Sequence, residues 1–165
     1  MKLRYKLVIV VVALGALALG AALLTLGAVA RGRGVSRVPV PPGSLIQTVS
    51  GDADYLDSYA ANVPAALFPD SRTLDRFAFQ RCTVAGETQA EIMYRGESPG
   101  LVYHLSYLRR GRGSDARLYV STAVHYKNWR GWLYFAFVRP GHRVLAPFMV
   151  SVMIRRAQGS ATPRG

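Results

Sequence analysis

The residues best equipped for chemistry lie together in "RPGHR", Arg139 to Arg143, near the end of a 165-residue chain. A histidine among arginines, beside a Pro-Gly pair that interrupts a long apolar run, admits two readings. Each guanidinium presents a planar fork of donors suited to a carboxylate or phosphate, so Arg139, His142 and Arg143 are candidates for holding an anionic group beside apolar walls. Alternatively, the same residues satisfy carbonyls freed by Pro140 and pair with acids of a neighbouring strand, which a proline inside a helix calls for. Five tyrosines, Tyr94, Tyr103, Tyr107, Tyr126 and Tyr134, carry hydroxyl handles on apolar rings. They would line a ligand cavity or fill ordinary core.

Other chemistries find less support. The histidines His104, His125 and His142 show no H-x-H or H-E-x-x-H spacing, so neither metal nor cofactor is expected. Cys82 is the sole cysteine, which excludes an internal disulfide and a cysteine-held metal. There is no G-x-S-x-G elbow, and Glu87 and Glu91 read as the solvent face of a strand. The two "RGRG" stretches, 31–34 and 110–113, lack the strand-to-helix context of a phosphate loop.

The elements that position these side chains must come from beyond the first thirty residues. Leu7 to Ala30 is a run of 24 residues without a charge, and about 20 apolar residues suffice to cross a bilayer. A cleaved secretory signal ending at Ala28–Ala30 is the alternative. Its apolar region would normally run only about 7–15 residues, so an uncleaved single-pass anchor is expected. Lys2, Arg4 and Lys6 on one side balance Arg31, Arg33 and Arg37 on the other, which leaves the orientation open. Residues 1–6 then form a basic start, 7–30 a transmembrane helix, 31–44 an Arg/Pro/Gly linker, 45–157 an α+β domain and 158–165 a disordered tail. With a formal net charge of +12 and no nucleic-acid motif, the expected partner is membrane lipid rather than nucleic acid.

Within the domain, "DADYLDSY" reads as a short helical turn capped by Asp52 or as an edge strand, and Asp70 or Ser71 caps a short helical turn. From Phe77 the pattern has period two. "FAF" opens it, and "ETQAEIMYR" sets Thr88, Ala90, Ile92 and Tyr94 against Glu87, Gln89 and Glu91. "LVYHLSYL" and "ARLYVSTAVHY" form a hairpin around "RRGRGSD". The expected register opposes Tyr107 with Leu118, Leu105 with Val120 and Tyr103 with Thr122, giving one greasy face. It sets His104 opposite Ser121 and His125 past the other strand's end, apart from each other.

The apolar stretch after this hairpin splits into Trp132–Val138 and Val144–Ile154, both short of the roughly 18 residues a span needs. It is therefore expected to cover the sheet as a helix that Pro140 and Gly141 kink or break. The fold expected is a curved antiparallel sheet covered by a long, kinked C-terminal helix, preceded by one transmembrane helix.

That order resembles the helix-grip layout of START-like and pollen-allergen-like proteins. Over residues 120–156, "STAVHYKNWRGWLYFAFVRPGHRVLAPFMVSVMIRR" resembles the end of a bacterial family, domain of unknown function 2867. The likeness runs through Tyr126, Asn128, Gly131, Tyr134, Phe135, Val138, Pro140, His142 and Arg143, with Lys127 and Gly141 where His and Phe are usual. "DADYLDSYAANVP" is similar to the family's opening D-Y-x-D-x-Y segment. The resemblance implies a fold, not a reaction, and does not supply the anchor; with the apolar run Leu7 to Ala30, the expected setting is a bacterial cytoplasmic membrane, crossed once. The expected function is non-enzymatic binding of a small apolar or amphiphilic ligand between sheet and helix. The alternatives are a cyclase- or hydrolase-type enzyme using His142 and a tyrosine, and a basic module docking on anionic lipid or an acidic partner.

Overall fold

The computed structural model describes residues 25, 34–64 and 82–161. The expected transmembrane helix (save Thr25), the turn at Asp70 or Ser71 and the Phe77–Phe79 strand lie outside the described residues. Six strands, β1 (Ser36–Arg37), β2 (Tyr55–Asn62), β3 (Thr83–Glu87), β4 (Glu91–Glu97), β5 (Leu101–Arg110) and β6 (Arg117–Tyr126), form one antiparallel sheet of order β1-β2-β6-β5-β4-β3. One helix, α1 (Trp129–Ala161), comes after them. The protein is thus α+β, as the alternation and the terminal apolar run imply. No described helix is long and apolar enough to cross a membrane.

The period-two residues behave as expected on one face. Tyr94, Tyr107 and Leu118 pack with Met153 and Ala157 of α1, Tyr59 and Ala61 with Val150, and Tyr55, Leu101 and Val124 with Phe135. Phe135 lies near the end of β6 and Met153 near its start, so α1 runs back along the sheet. Inward residues such as Phe135, Val138, His142, Ala146, Val150 and Met153 recur every three or four positions, the spacing of one helix face.

The hairpin register is two residues away from the expected one. Tyr107 opposes Val120, Leu105 opposes Thr122 and Tyr103 opposes Val124. An even shift preserves which side chains share a face, so the hydrophobic pattern alone cannot detect it. The turn decides it: Gly111 (φ 85°) and Gly113 (φ 59°) supply left-handed backbone, and Gly113–Asp115 forms a 3₁₀ turn.

Further corrections concern the other face. Thr88–Ala90 is a turn rather than strand, because the Thr88 hydroxyl accepts from the backbone N–H of Ala90 and Glu91. Part of the expected linker is folded: Val35 is buried, β1 pairs with β2, and residues 40–53 cover the second face with Ile46, Leu45 and Val49 on Met93 and Ala123. Glu91 is therefore buried rather than solvent-facing. Its carboxylate accepts the Leu45 N–H (2.8 Å) and the Ser106 hydroxyl. Finally, α1 continues as helix through Pro140 and Pro147 and past the expected boundary at 157.

The start of α1 is fixed by side-chain and backbone contacts. Asn128 Oδ1 accepts from the N–H of Arg130 and Gly131, both at 3.1 Å, while Asn128 Nδ2 donates to the Pro99 carbonyl. An Asn cap satisfies backbone donors that the first turn leaves open. Gly131 rests directly on Gly100: a Cβ at position 131 would overlap the Gly100 carbonyl oxygen.

Candidate functional site

Period two on β2 places Tyr55, Asp57 and Tyr59 on the face beneath α1, and they converge on one buried carboxylate. Asp57 Oδ2 accepts from the hydroxyls of Tyr55 (2.7 Å) and Tyr59 (2.8 Å). Its Oδ1 accepts from Arg37 Nε (2.6 Å) and the Ser58 N–H (3.1 Å). From the helix side, His142 Nδ1 stands 3.3 Å from the Tyr55 hydroxyl. The Arg139 guanidinium lies over the Tyr55 ring, 5.4 Å from its centroid. Tyr59 also reaches the Arg143 carbonyl at 3.4 Å, the very acceptor that Pro147 deprives of its helical donor. The predicted duty of satisfying freed carbonyls is thus visible one proline later than expected, and the side chain responsible is a tyrosine.

The electrostatics are those of a closed structural network. Burial by itself pushes the Asp57 carboxyl up, but hydrogen bonds from Tyr55, Arg37 and Tyr59 outweigh it and hold it below the ordinary carboxylate value. Burial first, then the hydrogen bond to Asp57 and its charge, push the Tyr55 phenol up to about 12, with Arg143 opposing. Tyr59 is raised further for the same leading reasons. Burial lowers His142, with the charge of Asp57 pulling the other way. We assign the Tyr55 proton to the shorter contact with Asp57, so His142 donates from Nδ1 and is neutral near pH 7. The resulting Asp57–Tyr55–His142 chain orients the imidazole, yet a phenol this weakly acidic does not pass its proton on at neutral pH.

Of the eight residues singled out from the sequence, Arg139, His142 and Arg143 meet at this cluster. The tyrosines do not gather around one cavity. Tyr94 and Tyr107 pack edge to face, centroids 6.1 Å apart, within filled core. Tyr103 lies over Gly96 with its hydroxyl 3.6 Å from Cys82 Sγ, Tyr126 packs on Phe135, and Tyr134 is on the surface. Among the described residues, Tyr94 and Tyr107 contact Met153 and Ala157 of α1 directly. A depression of about 380 Å³ lies instead beside β1, lined by Arg37, Val38, Pro39, Val40, Leu56, Asp57 and Ser58, none of them from α1.

Buried phenols give a clear alkaline signature. Tyr55 and Tyr107 are both pushed up to about 12 from an ordinary value of 10.0. The fold favours their neutral forms, so stability is unaffected below the unfolded value and is lost as pH rises through about 12. Spectrophotometric titration should show exposed phenols ionising first and these two only together with loss of circular dichroism. Smooth ionisation of every tyrosine near its ordinary value, with the fold intact, would contradict this assignment.

His104 and His125, expected apart, are neighbours with ring centroids 5.7 Å apart, a consequence of the two-residue register shift. His104 Nδ1 is buried without a hydrogen-bond partner among the described residues, and burial, His125 and Arg95 all lower its basicity. Among the described residues no group of three or more His, Cys, Asp or Glu side chains is arranged to hold a metal ion.

The outer side of α1 is unusual for a helix lying on a sheet. Trp129 (68%), Trp132 (56%), Tyr134 (61%) and Phe137 (79%) are exposed, with Leu133, Leu145 and Met149 also at the surface. The helix carries five arginines and no acidic residue. Its sheet side is apolar, large apolar side chains are exposed elsewhere around it, and all of its charged residues are cations.

The sequence profile of a family described as protein of unknown function, DUF2867, matches residues 69–149. Over that stretch the chain belongs to the DUF2867 family. None of the curated proteins compared with the chain matches it. The DUF2867 region takes in β3 to β6 and most of α1, including Asn128, Gly131, Arg139, His142 and Arg143, but stops short of Arg37, Tyr55, Asp57 and Tyr59 on the N-terminal side. Sequence reasoning misses these last four as site residues. The signal that marks three of them is the spacing of Tyr55, Asp57 and Tyr59, which on a strand places all three on one face.

Proposed function

We propose that this protein is a membrane-tethered, non-enzymatic module that docks the outer side of α1 on an anionic lipid surface. The observation that carries the reading is the exposed aromatic run Trp129–Phe137 on a helix with five arginines and no acid. Contiguous exposed apolar surface marks an interaction site, and Trp and Phe beside Arg suit the headgroup boundary. The tether supports the same occupant. Ala30, the end of the apolar run, is five positions ahead of Val35, and Val35 packs against Val150 of α1. At about 3.5 Å per residue the helix then stands within about 18 Å of whatever holds that run. We take this to be the cytoplasmic membrane, crossed once by Leu7–Ala30. The helix-grip likeness remains part of this proposal.

Two other readings are less well supported. A small ligand held between sheet and helix would have to part the contacts of Tyr94 and Tyr107 with Met153 and Ala157, and the Asp57–Tyr55–His142 chain has its phenol too weakly acidic for acid/base work near neutrality.

The chain's only tryptophans are Trp129 and Trp132, which makes docking directly readable. In full-length protein reconstituted into vesicles, their emission should be blue-shifted and quenched by lipids brominated on the acyl chain, more strongly when phosphatidylglycerol is present. Emission typical of water-exposed indole, unquenched in all vesicles, would refute docking. Relief of quenching only on adding an acidic protein would move the surface to a protein partner.

A further inference from the structure

We propose that Arg139 and Arg143 form a site for the phosphate of an anionic phospholipid headgroup, an inference that rests on the docking of α1 proposed above. Four-residue spacing sets the two side chains on the same flank of the helix, one turn apart. Both are exposed, and neither is ion-paired among the described residues. Both also converge on one residue: Arg139 stacks over the Tyr55 ring, and the charge of Arg143 acts on the Tyr55 hydroxyl. The buried carboxylate beneath them cannot neutralise them. Asp57 is wholly buried and already holds Arg37, Tyr55, Tyr59 and the Ser58 N–H. Two positive charges are therefore gathered at one spot with no counter-charge from the described protein.

The chemistry of the missing anion follows from the donors. A guanidinium offers two parallel N–H groups matched to a pair of phosphate oxygens, and stacking on an aromatic face fixes the plane of that fork before the ligand arrives. Neutral His142, one residue ahead of Arg143, adds no charge at pH 7. A lipid phosphate is favoured over a soluble one by what surrounds the pair. Exposed Trp132, seven positions before Arg139 and eleven before Arg143, lies on the same flank of the helix, where its indole would enter the headgroup boundary when a lipid phosphate sits at Arg139 and Arg143.

The test uses the full-length chain in vesicles with tryptophan quenching by brominated lipid, read as the fraction of phosphatidylglycerol needed for half-maximal quenching. Arg139→Gln with Arg143→Gln should raise that fraction by about tenfold or more, since each cation near the surface contributes a few-fold and the paired forks contribute beyond that. Arg155→Gln with Arg156→Gln removes the same charge elsewhere on α1 and should raise it only a few-fold. Lysine at both 139 and 143 keeps the charge without the fork and should fail to restore the wild-type value. Equal losses in the two glutamine pairs, or full restoration by lysine, would overturn the site while leaving docking intact. Absence of quenching in the wild-type chain would overturn docking itself. Specific broadening of the inorganic phosphate resonance by the detergent-solubilised chain, lost in Arg139→Gln with Arg143→Gln while their vesicle behaviour is unchanged, would transfer the site to the free ion.

Discussion

Asp57→Ala should destabilise the fold by about 3 kcal/mol, a large share of the total for a domain of this size. Two tyrosine hydroxyls lose their principal acceptor at once, and unsatisfied buried groups cost about 1–3 kcal/mol each. Partial replacements hold the figure down: Tyr55 keeps His142, Tyr59 keeps the Arg143 carbonyl, and the half-exposed Arg37 regains water. Asp57→Asn preserves shape and one acceptor oxygen, so its loss should be smaller, about 1–2 kcal/mol.

The pH profile separates the charge from the shape. Asp57 is depressed below 3.8 in the fold, so its contribution is present above that unfolded value and lost as pH falls through the folded one. His142 is likewise depressed, from 6.5, so protonation as pH falls below the unfolded value favours unfolding. Wild-type stability should therefore decline in two stages on acidification, the first beginning near 6.5 and the second near 3.8. Asp57→Asn should remove most of the second stage, and His142→Gln should reduce the first to the part that His104, also depressed by burial, contributes. Urea midpoints across that range provide the measurement. An Asp57→Ala midpoint equal to wild type would mean that the cluster does not hold α1 to β2.

Much of the fold is legible in the sequence because its signals are local. Alternation in Leu101–Tyr107 and Leu118–Tyr126 identifies strands and the shared face correctly, and the terminal run is recognisable as a cover because its two apolar parts are each too short to span. What escapes is information carried by turns and by distant chain. A two-residue slip leaves every side chain on its proper face, so only the backbone of Gly111 and Gly113 could fix the register. The same slip separates His104 from His125 in the expected register, although the two rings touch. The segment before Ser44 reads as linker by composition, yet its few apolar residues, Val35 and Val40, cover parts of the sheet. That cover is also what turns Glu91 from a surface acid into a buried anchor for Leu45.

The site is half legible for the same reason. Arg139, His142 and Arg143 stand out as a polar break in an apolar run, a contrast visible within five residues. Their partners lie more than eighty positions earlier on β2. Nothing local marks Asp57 as buried, because a carboxylate on a strand reads as solvent-facing unless the four donors that meet it are known. The tyrosines mislead in the opposite direction. An aromatic hydroxyl suits a ligand cavity and a packed core equally, and here Tyr94 and Tyr107 belong to the core while Tyr134 is on the surface.

Gly131→Ala offers a test in which the sign of the effect is decisive. In an ordinary helix interior alanine is better than glycine by about 1 kcal/mol, so the substitution would stabilise α1 if position 131 faced open space. It faces the turn of Ser98, Pro99 and Gly100 instead. The added methyl would overlap the Gly100 carbonyl oxygen, and Gly100 is itself so close that a Cβ there would lie 2.8 Å from Gly131 Cα. That turn is tied to the helix start by Asn128 Nδ2 on the Pro99 carbonyl and by the Lys127 N–H on the Gly100 carbonyl. Backbone pressed on backbone has no rotamer to yield, so relief requires α1 to lift away from the turn. Lifting would strain the Asn128 cap, worth about 1 kcal/mol, and pull Phe135 from its contacts with Tyr55 and Leu101. A net loss of about 2–3 kcal/mol is therefore expected despite the better helix former. Urea denaturation of Gly131→Ala beside Asn128→Ala gives the comparison, with Asn128→Ala expected to lose about 1 kcal/mol. A Gly131→Ala chain more stable than wild type would mean that α1 does not rest on Gly100. The same contact explains why an Asn and a Gly three positions apart open this helix: one residue ends the strand's exit and caps the first turn, and the other lets that turn approach closely enough for Phe135 to reach the core.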